Sequence, residues 1–364
     1  MNDTNAVIYA AVFGIALIAA LLLTPLIRRL SIRWGVVAEP GGRRRHEGNI
    51  PKLGGLAIFL AWCAGIILIY RYLPPLEPDD ATRLRGLLLG SLILTAGGLL
   101  DDWFDLKPWA QFAVQFAGAV IAISHLIFIE VFTSPVGPTV WELPVISWFF
   151  TMDGDLVWIW RPLAILITTF WVVGMINAVN WLDGLDGLAA GLCTIAAVLF
   201  AWHSNMLGQT TVALFPLALA GALLGFLPFN FAPARIFLGS AGAYFLGYQM
   251  ATLSILSPAK LSTALLVLAV PILDVAWQII DRVRRGQNPL HGDRGHLHFR
   301  LSDGGLPTRT IVVGYSMVAI AFGLVAILAP SGQYKLLLLL AISAVVFWLL
   351  IWLSKRPLNR TGSP

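Results

Sequence analysis

The chain has 364 residues, 58% of them hydrophobic and 12% charged, with a mean hydropathy of +0.81. This composition excludes a soluble globular domain and indicates a polytopic helical membrane protein. The net charge of +5 says less than the distribution of the basic residues, and both cysteines, Cys63 and Cys193, lie in apolar runs that suggest neither a disulfide framework nor a thiolate metal cluster.

Residues 1 to 5 carry no Lys or Arg, and the apolar run 6–27 exceeds the hydrophobic core of a cleavable signal. Arg28, Arg29 and Arg33 follow it, which predicts an anchor with its amino terminus outside. Ten further apolar segments are long enough to span: roughly 53–73, 85–101, 110–131, 161–178, 187–206, 211–229, 238–256, 261–281, 310–329 and 334–353. With eleven spans, alternate loops become cytoplasmic, and 18 of the 24 Lys and Arg residues fall on that side. An inside-positive topology requires such a bias. The expected fold is therefore all-α, with an outside amino terminus and a cytoplasmic carboxyl terminus. One integral domain covers residues 1–354, and 355–364 form a short tail. The outside loop 132–160 is rich in Pro, Trp and Phe and carries short β-like runs, so it reads as a small interfacial cap or hairpin.

The rare polar groups fall on one predicted side. Asp101 and Asp102 close the third span, with Asp105 one turn on. Adjacent carboxylates repel unless a cation is near, and negative charge at a helix C-terminus opposes the dipole, so the pair is a candidate metal site; a solvated pair ending a helix is the plain alternative. The stretch 177–188 places Asn177, Asn180, Asp183 and Asp186 at steps of three between two apolar runs. On helical spacing these amides and carboxylates share a face, which is costly at a membrane boundary unless they bind something. Oxygen ligands suit magnesium, and its companion would be a phosphate. Residues 230–240 join the seventh and eighth spans. On the ninth, Asp274, Gln278 and Asp281 form a polar stripe at i, i+4 and i+7, read either as a packing hydrogen bond or as ligands. His296 and His298, two apart, would diverge on a helix; in an extended or turn geometry with Asp293, Arg294 and Arg300 they would present an anion-binding surface. Zinc is disfavoured, since no third ligand stands at a structural spacing.

Five blocks, in this order, resemble the polyprenyl-phosphate N-acetylhexosamine-1-phosphate transferases. They are Arg45-His46 through Pro51-Lys-Leu-Gly-Gly55, Gly97-Gly-Leu-Leu-Asp-Asp102, Asn177 to Gly187, Ile236-Phe-Leu-Gly-Ser-Ala-Gly242, and Asp293-Arg-Gly-His-Leu-His298. The last block is more similar to the N-acetylglucosamine branch than to the phospho-N-acetylmuramoyl-pentapeptide transferase, which carries three consecutive histidines. The resemblance implies attack of a lipid phosphate on the β-phosphorus of a UDP-sugar, giving a lipid diphosphosugar and UMP at the first membrane step of a cell-envelope glycan. Undecaprenyl phosphate and UDP-N-acetylglucosamine are the expected substrates.

By position, the resemblance makes Asp102 a magnesium ligand or its neighbour and Asp101 a lipid-phosphate contact or base, with manganese as the alternative ion. Asn177, Asn180, Asp183 and Asp186 would hold the nucleotide side, and Arg294, His296 and His298 the diphosphate or sugar, with Arg300 and His46 as further substrate contacts. The site would face the cytoplasm across a bacterial inner membrane. A homodimer is compatible with the family, and no nucleic-acid partner is expected. The sequence departs from the family in four places: Ser240 stands at a usual magnesium-ligand Asp, Gln111 at a common Lys, Phe299 at a common second His, and Ala243, with no consequence expected, at a frequent Ser. A hydroxyl supplies an oxygen without charge, so weaker metal affinity and attenuated turnover are expected, or in the limit a silent binder of the same ligands. A transporter is the remaining alternative, but it would place polar groups near the bilayer midplane.

Overall fold

The computed structural model describes residues 3–38, 48–67, 78–133, 140–144, 146–149, 157–256, 258–287, 295–329 and 332–354. The described chain is a helical bundle, in the order α1 (Asp3–Arg33), β1 (Val37–Ala38), β2 (Ile50–Pro51), α2 (Gly54–Ile67), α3 (Pro78–Phe104), α4 (Pro108–Ser124), β3 (Val131–Thr133), β4 (Val140–Glu142), β5 (Ile146–Phe149) and β6 (Val157–Trp160). There follow α5 (Pro162–Leu182), α6 (Leu188–Met206), α7 (Thr210–Asn230), α8 (Gly239–Ile255), α9 (Pro258–Val267), α10 (Ala269–Arg284), α11 (Leu297–Asp303), α12 (Thr308–Leu328) and α13 (Gly332–Ser354). Each of the eleven expected apolar segments overlaps one of these helices, the ninth two; residues 68–73 of the second lie outside the described residues, and the fourth outruns α4, which stops at Ser124. Among the described residues seven helices are long and apolar enough to cross a membrane, making eight spans if α9 and α10 form one broken span; α2 and α4 are shorter apolar helices. The chain is thus an all-α, multi-pass membrane protein. The antiparallel pairs β3–β4 and β5–β6 fall on the expected 132–160 cap, β3 starting one residue before it, and β1 and β2 form a short antiparallel pair of two residues each.

The breaks follow the local chemistry. Pro opens α4 and α5, where its missing N–H has no helical partner to lose. The ninth segment bends by 74° at Leu268. Pro271 accounts for the bend, because it has no N–H for the carbonyl of Val267 and its ring would crowd that group in a continuous helix. Placed in the first turn of α10 instead, it is tolerated.

The core is α8. Almost every residue from Gly239 to Ser254 is buried, so the helix is enclosed on all sides by α2, α3, α5 and α9. Lipid offers little hydrophobic drive between helices, so close backbone packing through small residues holds such a centre together. A Cβ on Gly55 of α2 would overlap the backbone of Gly242, and one on Gly98 of α3 would overlap Ala241. By contrast, only 17% of the α1 and α13 spans is buried, which puts these helices at the periphery, whereas α6 and α7 are 78% and 72% buried.

This packing makes a graded prediction. Gly55→Ala must separate α2 from α8 and should cost roughly 1–3 kcal/mol or more. Gly191→Ala in α6, with no atom within 4 Å of its added methyl, should leave stability unchanged or slightly raised. Thermal unfolding midpoints in detergent test the pair, and equal midpoints would refute the close approach.

Candidate functional site

The polar blocks meet at one end of the bundle, where α3, α5 and α7 finish and α2, α4, α6 and α8 begin. The junction 231–238 binds them together. Gly54 N and Gly55 N donate to the carbonyls of Phe237 and Leu238 at 3.0 and 2.8 Å, and Phe237 N donates to Pro51 O at 2.7 Å. Asn230 Nδ2 donates to Ile236 O, Arg28 Nε to Arg235 O and Arg309 Nε to Ala232 O. Asp186 Oδ2 accepts the Ala234 amide at 2.8 Å. Asp186, expected on the nucleotide side, is therefore also a clamp on this junction.

Asp102 has a comparable double character. Its Oδ1 accepts the Ser240 amide at 2.9 Å and its Oδ2 the Ala241 amide at 3.0 Å. These are the first-turn amides of α8, so the carboxylate caps that helix from across the interface and compensates its positive end. Gly239, at φ 72°, turns the chain into α8 in a space that a side chain would have to share with Asp102 and the Lys52 carbonyl. The charge of Lys52 also acts on Asp102. The helix-end argument from sequence weighed only the unfavourable end of α3; the favourable end of α8 was invisible there, being 138 residues away.

Asp101 points differently. Its Oδ1 accepts from Leu106 N at 3.0 Å and from Gln111 Nε2 at 2.8 Å, while Oδ2 has no hydrogen bond among the described residues. Gln111 thus occupies the expected Lys position as an amide donor. One turn further along α4, buried Gln115 accepts from Asn177 Nδ2 at 2.7 Å, tying α4 to α5. Asn177 therefore serves an interhelical bond. Half-buried Asn180, one turn on, has no hydrogen bond among the described residues. Asp183 ends α5, and its charge reaches Cys193 of α6.

The 183–187 turn abuts the histidine segment. A Cβ on Gly184 would lie 2.6 Å from His298 Nε2 and 2.5 Å from Phe299 Cζ. His296 precedes α11 in an extended conformation and His298 lies within it, so the two rings stack at 5.6 Å and 14° rather than diverging as on a helix. Asp274 holds this arrangement: its Oδ2 faces His296 Nδ1 at 2.9 Å and its Oδ1 accepts the Leu297 amide at 3.0 Å. An ionised carboxylate only accepts, so Nδ1 carries the proton and His296 presents Nε2. Gln278 Nε2 and Arg300 Nε both donate to Gly295 O, at 2.5 and 2.7 Å, which gives Arg300 a structural contact beside any substrate role. Trp181 lies 5.8 Å from the His296 ring, and buried Arg282 sits 5.9 Å over the opposite partner of that contact, the Trp181 indole. Asp281, the last residue of the stripe, pairs with Arg285 at 2.8 Å.

The structure thus joins Asp101, Asp102 and Ser240 in one corner and Asp183, His296, His298 and Arg300 in another, with Asn177 and Asn180 on the intervening turns of α5. His46, Asp293 and Arg294 lie outside the described residues. Gln115, Tyr244, Lys52, Trp181 and Arg282 join the site without having been singled out. For Lys52 the signal was present, inside the Pro51 to Gly55 block. Among the described residues no three His, Cys, Asp or Glu side chains cluster as a ready metal cage.

Residues 84–258 match the family described as glycosyl transferase family 4. A probable undecaprenyl-phosphate N-acetylglucosaminyl 1-phosphate transferase of Bacillus subtilis is 32% identical over 96% of this chain and 93% of its own length. The decaprenyl-phosphate N-acetylglucosaminephosphotransferase of Mycolicibacterium smegmatis is 32% identical over 94% of this chain and 87% of its own. The undecaprenyl-phosphate alpha-N-acetylglucosaminyl 1-phosphate transferase of Escherichia coli is 26% identical over 87% and 84%.

Asp274→Ala leaves His296 Nδ1 and the Leu297 amide without their acceptor inside the protein. Two hydrogen bonds to a charged group set the expected loss at about 3 kcal/mol or more. Asp274→Asn, which keeps an acceptor for the Leu297 amide, should lose less. Detergent unfolding midpoints in the order wild type, Asn, Ala test this, and identical values would refute the clamp.

Proposed function

Because the chain belongs to glycosyl transferase family 4, we propose that it transfers N-acetylglucosamine 1-phosphate from UDP-N-acetylglucosamine to a polyprenyl phosphate, releasing UMP. The observation that carries this reading is the 32% identity to the Bacillus subtilis transferase, sustained over 96% of the chain. The meeting of the acidic, amide and imidazole blocks at one end of the bundle supports it. The polyprenyl phosphate is the nucleophile and the donor's β-phosphorus the centre attacked. The bond to the uridylyl oxygen breaks, and UMP leaves with the electron pair.

In-line displacement at phosphorus asks the protein mainly for positioning and for neutralisation of charge. Asp183 and Asn180, at the end of α5, would orient the nucleotide. His296, held by Asp274, would aim its Nε2 at the diphosphate or sugar, with His298 stacked behind it and Arg282 adding positive charge nearby. Asp101 would receive the lipid phosphate. Magnesium commonly takes one or two protein carboxylates and completes its shell with phosphate and water, and two adjacent aspartates fit that demand. Asp101, through Oδ2, and Asp102, whose oxygens each keep a second lone pair, would hold it. Bound there, the ion would neutralise the phosphates and polarise the reacting phosphorus. Ser240 would add at most a neutral oxygen.

The same reading includes eleven spans with the amino terminus outside, one integral domain over residues 1–354, and a site on the cytoplasmic face of a bacterial inner membrane. Its support is the inside-positive distribution of Lys and Arg.

Radiolabelled UDP-N-acetylglucosamine and polyprenyl phosphate in detergent test the reaction. Labelled lipid and UMP are expected in equal amounts with magnesium, and neither with chelator. Lipid product without UMP, or no transfer from any UDP-N-acetylhexosamine, would overturn the proposal. Ser240→Asp adds a third carboxylate beside the pair and should lower the magnesium concentration for half-maximal rate by about tenfold, equivalent to ~1.4 kcal/mol. An unchanged magnesium dependence would show that position 240 is not part of the ion site.

A further inference from the structure

Tyr244 stands on α8 one turn beyond Ser240, and it is more deeply buried than either aspartate: 0% exposed against 8% for Asp101 and 6% for Asp102. Its hydroxyl has no hydrogen-bond partner among the described residues. Asp102 accepts the amides of Ser240 and Ala241, so Tyr244 follows directly on the turn of α8 that this carboxylate caps. Gln115 is its amide neighbour, but that side chain is already engaged with Asn177, and the pair does not reach hydrogen-bond geometry. Phe would fill the same volume without burying a polar atom, and an unsatisfied buried hydroxyl is disfavoured. Elsewhere on the same helix the comparable group is satisfied: Tyr248 donates to Gly86 O at 2.8 Å.

The corner therefore holds a recessed neutral donor one helical turn behind the contact of Asp102 with α8. A negatively charged ligand approaching these aspartates needs donors that are not themselves acidic, and a phenolic O–H at the floor supplies one. We propose that Tyr244 is a phosphate-binding residue, its hydroxyl donating to a non-bridging oxygen of the phosphate that enters beside Asp101 and Asp102. This deepens the proposed transfer reaction and rests on it. The phosphate belongs either to the lipid acceptor or to the nucleotide donor, and the two sources are separable by experiment.

Tyr244→Phe in the full chain is the test. A lost hydrogen bond to a charged oxygen should raise KM for one substrate, acceptor or donor, by about tenfold or more, while the other KM stays unchanged. The unfolding midpoint of the ligand-free variant should equal or exceed that of the wild type, since a buried polar orphan has been removed. Polyprenyl phosphate and UDP, added separately, read the hydroxyl without turnover: the ligand that Tyr244 holds should raise the wild-type midpoint and raise that of Tyr244→Phe much less. Unchanged KM values and equal ligand-induced shifts would overturn the inference. A lowered ligand-free midpoint with parallel loss for both substrates would also overturn it, by making the hydroxyl structural. If the wild type transfers no sugar phosphate yet shows the differential ligand shift, the binding role stands and the proposed reaction falls.

Discussion

The carboxylate of Asp102, buried between α3 and α8, is the bond on which the site end depends. It accepts two amides of a helix that is enclosed on every side, so α8 cannot begin elsewhere without stranding both a charge and two N–H groups. Hydrogen bonds to an ionised group contribute about 1.5–3 kcal/mol each, and leaving a buried charge without them costs more than their sum. The same contact fixes Ser240 against the aspartate pair and sets Tyr244 one turn behind it. The carboxylate proposed to hold the ion is thus also a structural cap, and the two amides restrict its orientation.

A second carboxylate repeats the principle at the other corner. Asp274 takes a backbone amide of α11 with one oxygen and an imidazole with the other, so a single group sets both the start of the helix and the tautomer of His296. The bend at Leu268 lets α10 leave the line of α9 and bring Asp274, Gln278 and Arg282 to the histidine segment. Between the corners, α5 acts as the ruler. Asn177 is bonded to α4, and Asp183 lies six residues on, about 9 Å along the axis at 1.5 Å per residue.

Several site side chains are thus occupied by the fold itself. Asp186 holds the 231–238 junction, Asn177 an interhelical amide pair, and Arg300 the Gly295 carbonyl. Their polar character follows from these contacts whether or not they also touch substrate. Asn180 and the Oδ2 of Asp101 have no such hydrogen bond among the described residues, and they are well placed to meet a ligand.

The apolar runs, their lengths and the residue types between them determined the helices, because a backbone in lipid must satisfy its own hydrogen bonds and a run of some twenty apolar residues leaves one way to do so. The polar stretch 177–186 and the order of the five blocks likewise marked the site end, although only Asn177 and Asn180 lie on α5: the helix stops at Leu182, and Asp183 and Asp186 fall in the turn that follows rather than on the expected common helical face. Partners far along the chain carry no such mark. That Asp102 caps α8, that Asp274 seats His296, that the two histidines stack and that Tyr244 is buried one turn behind Ser240 were decided only by packing. Each depends on which helix ends arrive together, and that is set by small-residue contacts such as Gly55 on Gly242 and Gly98 on Ala241, which no local pattern announces.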